Sequence, residues 1–375
     1  MLAPEPRERW IAPSWPGVRV EQLAYLKPRA LERTFYGAGV PDNLARDPSA
    51  WLGLAPFSAR LAHSARRRAR HWDALISHWA LPCALAAGFA RGDRPHIAVL
   101  HSADIHLLSR LPLRAALAHG IARSADLLWF VSAEQRARFL ALLPPSAARP
   151  NTLVCAMGVD LDEAPNVERA LSAKRPWRAL ALGRLVRLKG LDVAIRACAE
   201  LGIGLMIAGD GPERARLERL ASQLNADVRF LGTVVGRAKR ELFESADVFM
   251  LPSRRMPNGR GEGVPHSLLE ALAHGLPVIA SRQPGIEELL AGTSLARGLV
   301  AADDLAAFID ALRSIRDAST DPSIARAARA IVQPFAWPAI AGRVDDQLAL
   351  AASNLLTPKR ANVRVWQPTS RTIAR

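Results

Sequence analysis

The sequence predicts an α/β protein with two doubly wound domains. Its 375 residues are enough for two domains of ordinary size, and half of them are apolar, so each domain can bury its own core. From Trp177 onward, short continuous apolar runs alternate with helix-length segments. Apolar runs between helices are typical of a parallel sheet that is covered on both faces.

The second half of the chain carries this alternation most clearly. Strands are predicted at 177–182, 204–209, 227–232, 247–252 and 276–281. Helices are predicted between them at 191–200, 213–224, 237–245 and 266–274. The regular succession of these segments predicts one doubly wound domain over 151–335.

The first half repeats the pattern less regularly and forms a predicted domain over 1–150. Its strands are predicted at 73–77, 96–101 and 126–132, and the proline-rich segment 144–151 is predicted to connect the two domains. After the second domain we predict a crossover helix at 336–352. The basic stretch 353–375, which has no acidic residue and no helical period, is predicted to be disordered.

The start of the chain departs from the doubly wound pattern. Residues 1–17 contain four prolines and no apolar strand, and the first strand-like run is 18–26. We therefore expect the first domain to lack its opening strand and the glycine-rich turn that normally follows it. A chain that begins downstream of the true start explains this better than a divergent opening does.

The composition indicates a cytoplasmic protein. No apolar run reaches the roughly 18 to 20 residues that span a bilayer, and the N-terminus has no apolar signal segment. Cys83, Cys155 and Cys198 are scattered and odd in number. This pattern favours buried thiols over a disulfide framework or a metal site.

The net charge of +15 leaves the choice of partner open. A solvated basic surface is the default interpretation, and attraction to an anionic membrane face is the second. The segment 58–72 places five arginines on a predicted helix beside Leu61 and Trp72, and is the best candidate for a peripheral membrane contact. No nucleic-acid module is recognisable, so no nucleic-acid partner is predicted.

Ligands of doubly wound sheets bind at the carboxyl ends of the strands, where three loops here carry suggestive residues. The first loop, 183–190, holds Arg184 and Lys189 after Gly183. Two cations on a glycine-bounded loop suit a diphosphate, because charge-assisted hydrogen bonds neutralise it as it departs. The same residues also fit a basic loop that is simply solvated.

The second loop is 209–213. Gly209 permits a tight turn and Asp210 can stabilise it, so both residues are candidates for lining a base pocket. When this loop is considered alone, a helix start that binds no ligand explains it better than a base pocket does.

The third loop and its helix, 261–281, carry the strongest signal. Glu262 lies before the predicted helix start, and Glu270 lies in its first turns, so both carboxylates can face one cleft. A carboxylate is a natural acceptor for the two hydroxyls of a ribose, and a helix N-terminus favours phosphate. The remaining donor-binding candidates in this segment are Gly263, Val264, Pro265, His266 and Ser267.

Together these motifs resemble the retaining GT-B glycosyltransferases of the family-4 type, the glycosyl transferases group 1. The segments in that family's order and spacing are GRLVRLKGLD, IAGDGPE, FLGTV, ADVFMLPS and EGVPHSLLEALAHGLPVIAS. The resemblance is firm from Trp177 to Val300 and extends more weakly through 335–337. It implies two facing Rossmann-like domains, a donor bound mainly by the C-terminal one, and retention at the anomeric carbon.

The resemblance also implies roles by position. Arg184 and Lys189 would grip the donor diphosphate, and Glu270 would bind the ribose hydroxyls. Glu262 and the backbone of 263–266 would contact the sugar and phosphate. His101, after a strand of the first half, would approach the donor sugar. The family needs no metal or other cofactor, since the nucleotide sugar is a co-substrate.

Other polar residues near His101 keep two interpretations each. His78 and Trp79 fit core or strand-end positions better than a donor contact. Asp104 can cap the following helix or face the acceptor.

The expected reaction is transfer of a sugar from a nucleoside diphosphate sugar to a carbohydrate or lipid-linked acceptor, in polysaccharide, lipopolysaccharide or glycolipid biosynthesis. An inactive nucleotide-sugar-binding relative is one alternative, and only the missing opening loop supports it. A GT-B nucleotide-sugar epimerase is another, and it would be expected to carry additional carboxylates and histidines around the sugar.

Overall fold

The computed structural model of the protein describes residues 1–4, 17–35, 40–162, 164, 176–317 and 322–356. Contacts divide the chain into two compact units. The first comprises the residues up to Cys155 together with the chain from Arg343, and the second is Ala156–Gly342. This division lies one short strand beyond the boundary predicted at 150/151, because 152–154 pairs with the sheet of the first unit.

The first unit contains a four-stranded parallel sheet and a separate pair of short parallel strands. Its strands are β1 (Leu2–Pro4), β2 (Glu21–Leu23), β3 (Leu75–His78), β4 (His96–Leu100), β5 (Leu127–Phe130) and β6 (Thr152–Val154). Its helices are α1 (Val40–Arg46), α2 (Leu54–Ala69), α3 (Leu85–Ala90), α4 (Ser102–Arg110), α5 (Arg114–Ser124) and α6 (Ala133–Leu140). The sheet has the order β3-β4-β5-β6, and both central strands are fully buried.

The start of the chain differs from the prediction in one respect. Residues 2–4 form β1, which pairs in parallel with β2, although no strand was expected before residue 18. So short a strand needs little apolar sequence, because backbone hydrogen bonds such as the one from Glu21 N to Met1 O, 2.8 Å, hold it. The expected lack of a glycine-rich opening turn concerns residues 5–16, which lie outside the described residues, and it stays a prediction.

The second unit is a six-stranded parallel sheet flanked by helices. Its strands are β7 (Arg178–Leu182), β8 (Gly204–Ala208), β9 (Val228–Gly232), β10 (Val248–Leu251), β11 (Val278–Ser281) and β12 (Leu299–Val300). Its helices are α7 (Leu191–Glu200), α8 (Arg214–Gln223), α9 (Gly236–Ser245), α10 (His266–Ala273), α11 (Pro284–Leu290), α12 (Leu305–Asp317) and α13 (Pro322–Val332). The strands and helices predicted between 177 and 281 are all confirmed, with ends that agree within two residues.

The strand order of the second unit, β12-β11-β10-β7-β8-β9, places a topological switch point between β7 and β10. The chain builds outward from β7 to β9, and then returns to β10 and builds outward on the opposite side. Loops that follow two such strands leave the sheet in opposite directions and open a crevice between them. The loop after β7 and the loop after β10 therefore flank the position where this fold binds ligands.

The last helix, α14 (Trp337–Leu356), includes the predicted crossover helix at 336–352 apart from its first residue. Residues 353–356 of the predicted tail continue this helix, and the rest of the tail lies outside the described residues. Among the helices that the structure describes, none combines the length and the apolar character needed to cross a membrane.

A buried histidine connects β4 to β3 and to the end of α5 through hydrogen bonds. His96 begins β4 and is fully buried. Its Nδ1 lies 2.8 Å from the carbonyl oxygen of Ser124, to which it donates, and its Nε2 accepts from Ser77 Oγ at 2.9 Å. Burial lowers the pKa of His96 to about 4, so the ring is neutral in the folded protein at neutral pH.

This histidine predicts a pH-dependent loss of stability. The pKa of His96 in the folded state lies below its ordinary value of 6.5, so the unfolded chain takes up the proton first. The contribution of neutral His96 to the free energy of unfolding is complete above pH 6.5. It is lost as the pH falls toward 4, by on the order of 2–3 kcal/mol. In urea unfolding between pH 7.5 and 4, His96→Gln should show a smaller pH slope than the wild type, whereas His63→Gln on the exposed face of α2 should not. Equal slopes for the wild type and His96→Gln would contradict the assignment.

Candidate functional site

The first and second predicted loops are bonded to each other at the carboxyl ends of β7 and β8. Gly183 N donates to the carbonyl oxygen of Ala208, and Leu185 N donates to that of Asp210, both at 2.9 Å. A Cβ on Gly211 would lie 2.5 Å from the oxygen of Leu185, so only glycine fits this approach. Gly209, Asp210 and Gly183 therefore form one continuous backbone surface.

The first loop also packs directly against the loop after β10. Gly190 has a φ of +60°, and a Cβ there would lie 1.9 Å from the carbonyl oxygen of Pro252. Arg254 N donates to the oxygen of Leu188 at 2.7 Å. The two loops on either side of the switch point thus contact each other through their backbones.

An ion pair joins two of the predicted site residues across this contact. Lys189 Nζ lies 2.8 Å from Glu262 Oε1, and both side chains are largely buried. The hydroxyl of Ser253 also lies 3.5 Å from the same oxygen. The predicted cation and the predicted carboxylate therefore contact each other directly, and their role in donor binding stays a prediction. Arg184 lies at the exposed surface of the same loop.

Arg254 fixes the loop after β10 to the start of α7, and sequence reasoning missed it. Its guanidinium makes two parallel hydrogen bonds to Asp192, of 2.8 and 2.9 Å, and its Nε bonds to Asp303. Burial raises the pKa of Asp192, but the hydrogen bonds and charge of Arg254 outweigh it, so the net pKa is lowered. A signal was available, since two arginines, at 254 and 255, lie in the loop that follows β10 at the predicted site.

The third predicted segment forms a tightly packed turn before α10. The helix begins at His266 after Pro265, as predicted. A Cβ on Gly285, in α11, would lie 2.7 Å from the backbone of Gly263, so the turn rests against α11. The side chain of Val264 packs on the core of the unit, and Ser267 is buried in the first turn of the helix.

Glu270 lies in the second turn of α10 and meets two cationic side chains. Lys239 Nζ, from α9, lies 2.5 Å from Glu270 Oε1, and His266 Nδ1 lies 3.3 Å from the same oxygen. Burial raises the pKa of Glu270, but His266 and Lys239 outweigh it, so the carboxylate is stabilised in its ionised form. Sequence reasoning chose Glu270 and missed Lys239, because helix periodicity does not reveal contacts between α9 and α10.

His101 belongs to the first unit, at the end of β4. Its Nε2 lies 3.2 Å from Nδ1 of His78, at the end of β3. Burial lowers the pKa of His101 to about 4, and the neighbouring His78 contributes in the same direction. The predicted contact of His101 with the donor sugar stays a prediction.

Asp104 acts as a buried acceptor for backbone N–H groups. Its carboxylate accepts from Ala80 N at 2.7 Å, in the turn after β3, and from Ile105 N at 2.8 Å. Burial raises the pKa of Asp104 to about 7. Asp104 lies inside α4, whose N-cap is His101, so the predicted capping of this helix is wrong, and the carboxylate instead holds the turn after β3, in which Trp79 adopts a φ of +83°.

Comparisons with known proteins establish the family. The sequence pattern of the family described as glycosyl transferases group 1 matches residues 177–317. A GDP-mannose-dependent alpha-(1-6)-phosphatidylinositol monomannoside mannosyltransferase of Mycolicibacterium smegmatis is 33% identical over 279 residues, which cover 64% of this chain and 72% of that protein. The chain belongs to the glycosyl transferases group 1 family.

Other relatives match a shorter part of the chain. The putative colanic acid biosynthesis glycosyltransferase WcaL of Escherichia coli is 32% identical over 198 residues, which cover 50% of this chain and 48% of WcaL. The chain thus spans about half the length of this relative.

Solved structures share the fold. HepE of Anabaena, crystallised with UDP, has a TM-score of 0.63 at 20% identity and covers 80% of this chain and 84% of its own. An alpha,alpha-trehalose-phosphate synthase of Burkholderia vietnamiensis has a TM-score of 0.66 at 16% identity, with coverages of 82% and 80%. The predicted GT-B fold with Rossmann-like parallel sheets is confirmed.

Among the described residues, no three His, Cys, Asp or Glu side chains lie close enough together to hold a metal ion. The expectation of a reaction without metal or other cofactor stays a prediction.

The contact between Gly190 and Pro252 predicts a matched pair of stability effects. Gly190 and Gly202 have the same φ within one degree, but a Cβ on Gly202 meets no atom within 4 Å. Gly202→Ala should cost only the strain of a left-handed residue, about 1–2 kcal/mol. Gly190→Ala should cost a further ~2 kcal/mol or more, because the backbone of the two loops must separate. Denaturant unfolding measures both, and equal losses would show that the loops are not held together here.

Proposed function

We propose that the protein transfers a sugar from a nucleoside diphosphate sugar to an acceptor hydroxyl, with retention of the anomeric configuration. One observation carries the proposal. Lys189 and Glu262, from the loops on either side of the switch point, form an ion pair at the position where doubly wound folds bind ligands. Family membership supports the transferase reaction.

In the proposed complex, the first loop and α10 bind the diphosphate. Lys189 and Arg184 supply positive charge, and the amino end of α10 adds its backbone N–H groups and helix dipole. Negative charge grows on the diphosphate as the bond to the sugar breaks, so these groups stabilise the transition state more than the bound substrate. Glu270 accepts hydrogen bonds from the two ribose hydroxyls.

Retention follows if the acceptor attacks from the face that the diphosphate leaves. The bond between the anomeric carbon and the phosphate oxygen breaks, and the acceptor oxygen forms its bond on the same side. The leaving phosphate oxygen takes the proton of the acceptor hydroxyl. This route requires no side chain as a general base, and the proposed role of the protein is to stabilise charge and to orient the reactants.

Relatives suggest the setting of the reaction. WcaL is named for colanic acid biosynthesis, and the M. smegmatis enzyme is named for mannosyl transfer to a phosphatidylinositol mannoside. We infer a carbohydrate or lipid-linked acceptor in polysaccharide, lipopolysaccharide or glycolipid biosynthesis, with the protein on the cytoplasmic side. Thermal stabilisation by UDP, GDP and ADP identifies the donor base. Release of nucleotide that depends on an added acceptor measures turnover.

The role of Glu270 predicts a loss of donor affinity. Glu270→Gln removes the charged acceptor and should raise the dissociation constant of the preferred nucleoside diphosphate about tenfold or more, since a charge-assisted hydrogen bond contributes roughly 1.5–3 kcal/mol. Glu241→Gln is the matched control, because Glu241 lies on the exposed face of α9 and forms an ion pair with Arg237. Calorimetric titration measures both. Unchanged affinity in a folded Glu270→Gln variant would remove the ribose role.

A peripheral membrane contact is the second part of the proposal. Exposed arginines of α2, among them Arg60, Arg66 and Arg67, follow two exposed apolar side chains, Trp51 and Leu52, which lie just before the helix. Of the apolar residues expected beside these arginines, Leu61 is instead buried in the core and Trp72 packs against it. Apolar side chains beside a basic helix face are typical of helices that lie on anionic bilayers.

This surface predicts salt-sensitive binding to vesicles. The protein should sediment with phosphatidylglycerol vesicles at low salt and be released as salt rises, because the attraction is largely electrostatic. Arg66→Gln/Arg67→Gln should weaken sedimentation, and neutral phosphatidylcholine vesicles serve as the control. Sedimentation that is absent at low salt, or that is unaffected by the double substitution, would contradict this part of the proposal.

A further inference from the structure

Glu270 is held by contacts that the family roles do not require. Lys239 and His266 both point to Oε1 of its carboxylate, at 2.5 and 3.3 Å. The carboxylate is largely buried, with 12% of the side chain exposed, and Lys239 is 29% exposed. Neither contact uses Oε2, which leaves that oxygen outside the two ion pairs.

The ring of His266 lies between two groups that can only accept hydrogen bonds. Its Nδ1 faces the carboxylate of Glu270, and its Nε2 lies 2.9 Å from the carbonyl oxygen of Gly158. A neutral imidazole carries one N–H and can satisfy one of them, whereas the imidazolium satisfies both. The hydrogen bond to Glu270 raises the pKa of His266, and burial and Lys239 oppose this shift without cancelling it.

The carbonyl of Gly158 is a fixed anchor for this ring. Val159 N donates to the oxygen of Phe335 at 2.8 Å, and Trp337 N donates to the oxygen of Val159 at 3.1 Å. A Cβ on Gly158 would lie 2.4 Å from the indole of Trp337. The segment at 158–159 is therefore held against 335–337 by backbone hydrogen bonds and close packing, and His266 connects it to Glu270.

We propose that Lys239 and His266 are positioning residues for ribose recognition, which hold the Glu270 carboxylate in the ionised state and in one orientation. The inference rests on the proposed role of Glu270. Two cations on Oε1 restrict rotation of the carboxylate, and the anchor at Gly158 fixes the direction of one of them. Ribose hydroxyls then meet a preorganised acceptor, so less of the binding energy is lost in ordering the side chain.

The test separates ribose recognition from general folding. The ligands are the tightest binder among UDP, GDP and ADP and its 2′,3′-dideoxy counterpart, and the measured quantity is the ratio of their affinities. Lys239→Met and His266→Gln should each reduce this ratio about fivefold, a change of about 1 kcal/mol. The affinity of the dideoxy ligand should change much less than that of the ribose ligand, and Lys239→Arg should restore most of the ratio. Arg237→Gln, which removes an exposed cation from the same helix, is the control.

The outcomes distinguish this inference from the proposed function. If Glu270→Gln reduces the ratio while Lys239→Met and His266→Gln leave it unchanged, the positioning role is wrong and the ribose role stands. If Glu270→Gln also leaves the ratio unchanged, the ribose role itself is wrong. If the two variants weaken both ligands equally, the residues only support the fold, and the inference is overturned.

The pH profile supplies a second readout. The charged groups that face the His266 ring among the described residues are Glu270, from its own helix, and Lys239, from α9; the Gly158 carbonyl completes its surroundings. The folded-state pKa of His266 lies above 6.5, so its two hydrogen bonds are intact below that value and one is lost as the pH rises. As the pH rises above 6.5, the ratio of the affinities for the nucleoside diphosphate and its dideoxy counterpart should fall for the wild type. For His266→Gln the ratio should not change with pH. Parallel profiles would contradict the role of His266.

Discussion

The parallel pairing of β7 with β10 is the constraint on which the candidate site depends. Residues 248–249 lie opposite 179–180, so both strands end at the same edge of the sheet. The loops that follow must then share a narrow space, and the absence of a side chain at Gly190 allows their backbones to touch. The bidentate contact between Arg254 and Asp192 holds the second loop in this position. Lys189 and Glu262 meet because the two loops are fixed in this way.

The regular parts of the second unit could be predicted because buried parallel strands have a simple sequence pattern. The strands β7, β8, β10 and β11 lie in short apolar runs, and glycine or proline usually ends the adjoining helix or strand. The edge strand β9 includes Arg229 and alternates between exposed and half-buried residues. The elements missed in the first unit are short: β1 and β6 have three residues each. Their strands are stabilised mainly by backbone hydrogen bonds, which leave little trace in side-chain periodicity.

The site could be predicted in part for the same reason. Its loops were found because they follow recognisable strands, and their glycines and carboxylates suit phosphate and ribose. The partners of those residues could not be found, since Lys239 is 31 residues from Glu270 and Gly158 is 108 residues from His266. Such contacts depend on how helices and loops pack, which no local pattern in the sequence records.

Charge compensation within the site shapes how a donor would bind. An ionised side chain that is largely removed from water needs a partner of opposite charge. Lys189 and Glu262 are such partners for each other. In the proposed complex, a diphosphate that approaches Lys189 must compete with Glu262, so donor binding replaces one anion beside the lysine with another. In the proposed complex, the exchange leaves Glu262 without its cation unless hydroxyl groups of the sugar donate to it. Recognition of the leaving group and recognition of the sugar would then be coupled through one ion pair, which favours a complete nucleotide sugar over a free diphosphate.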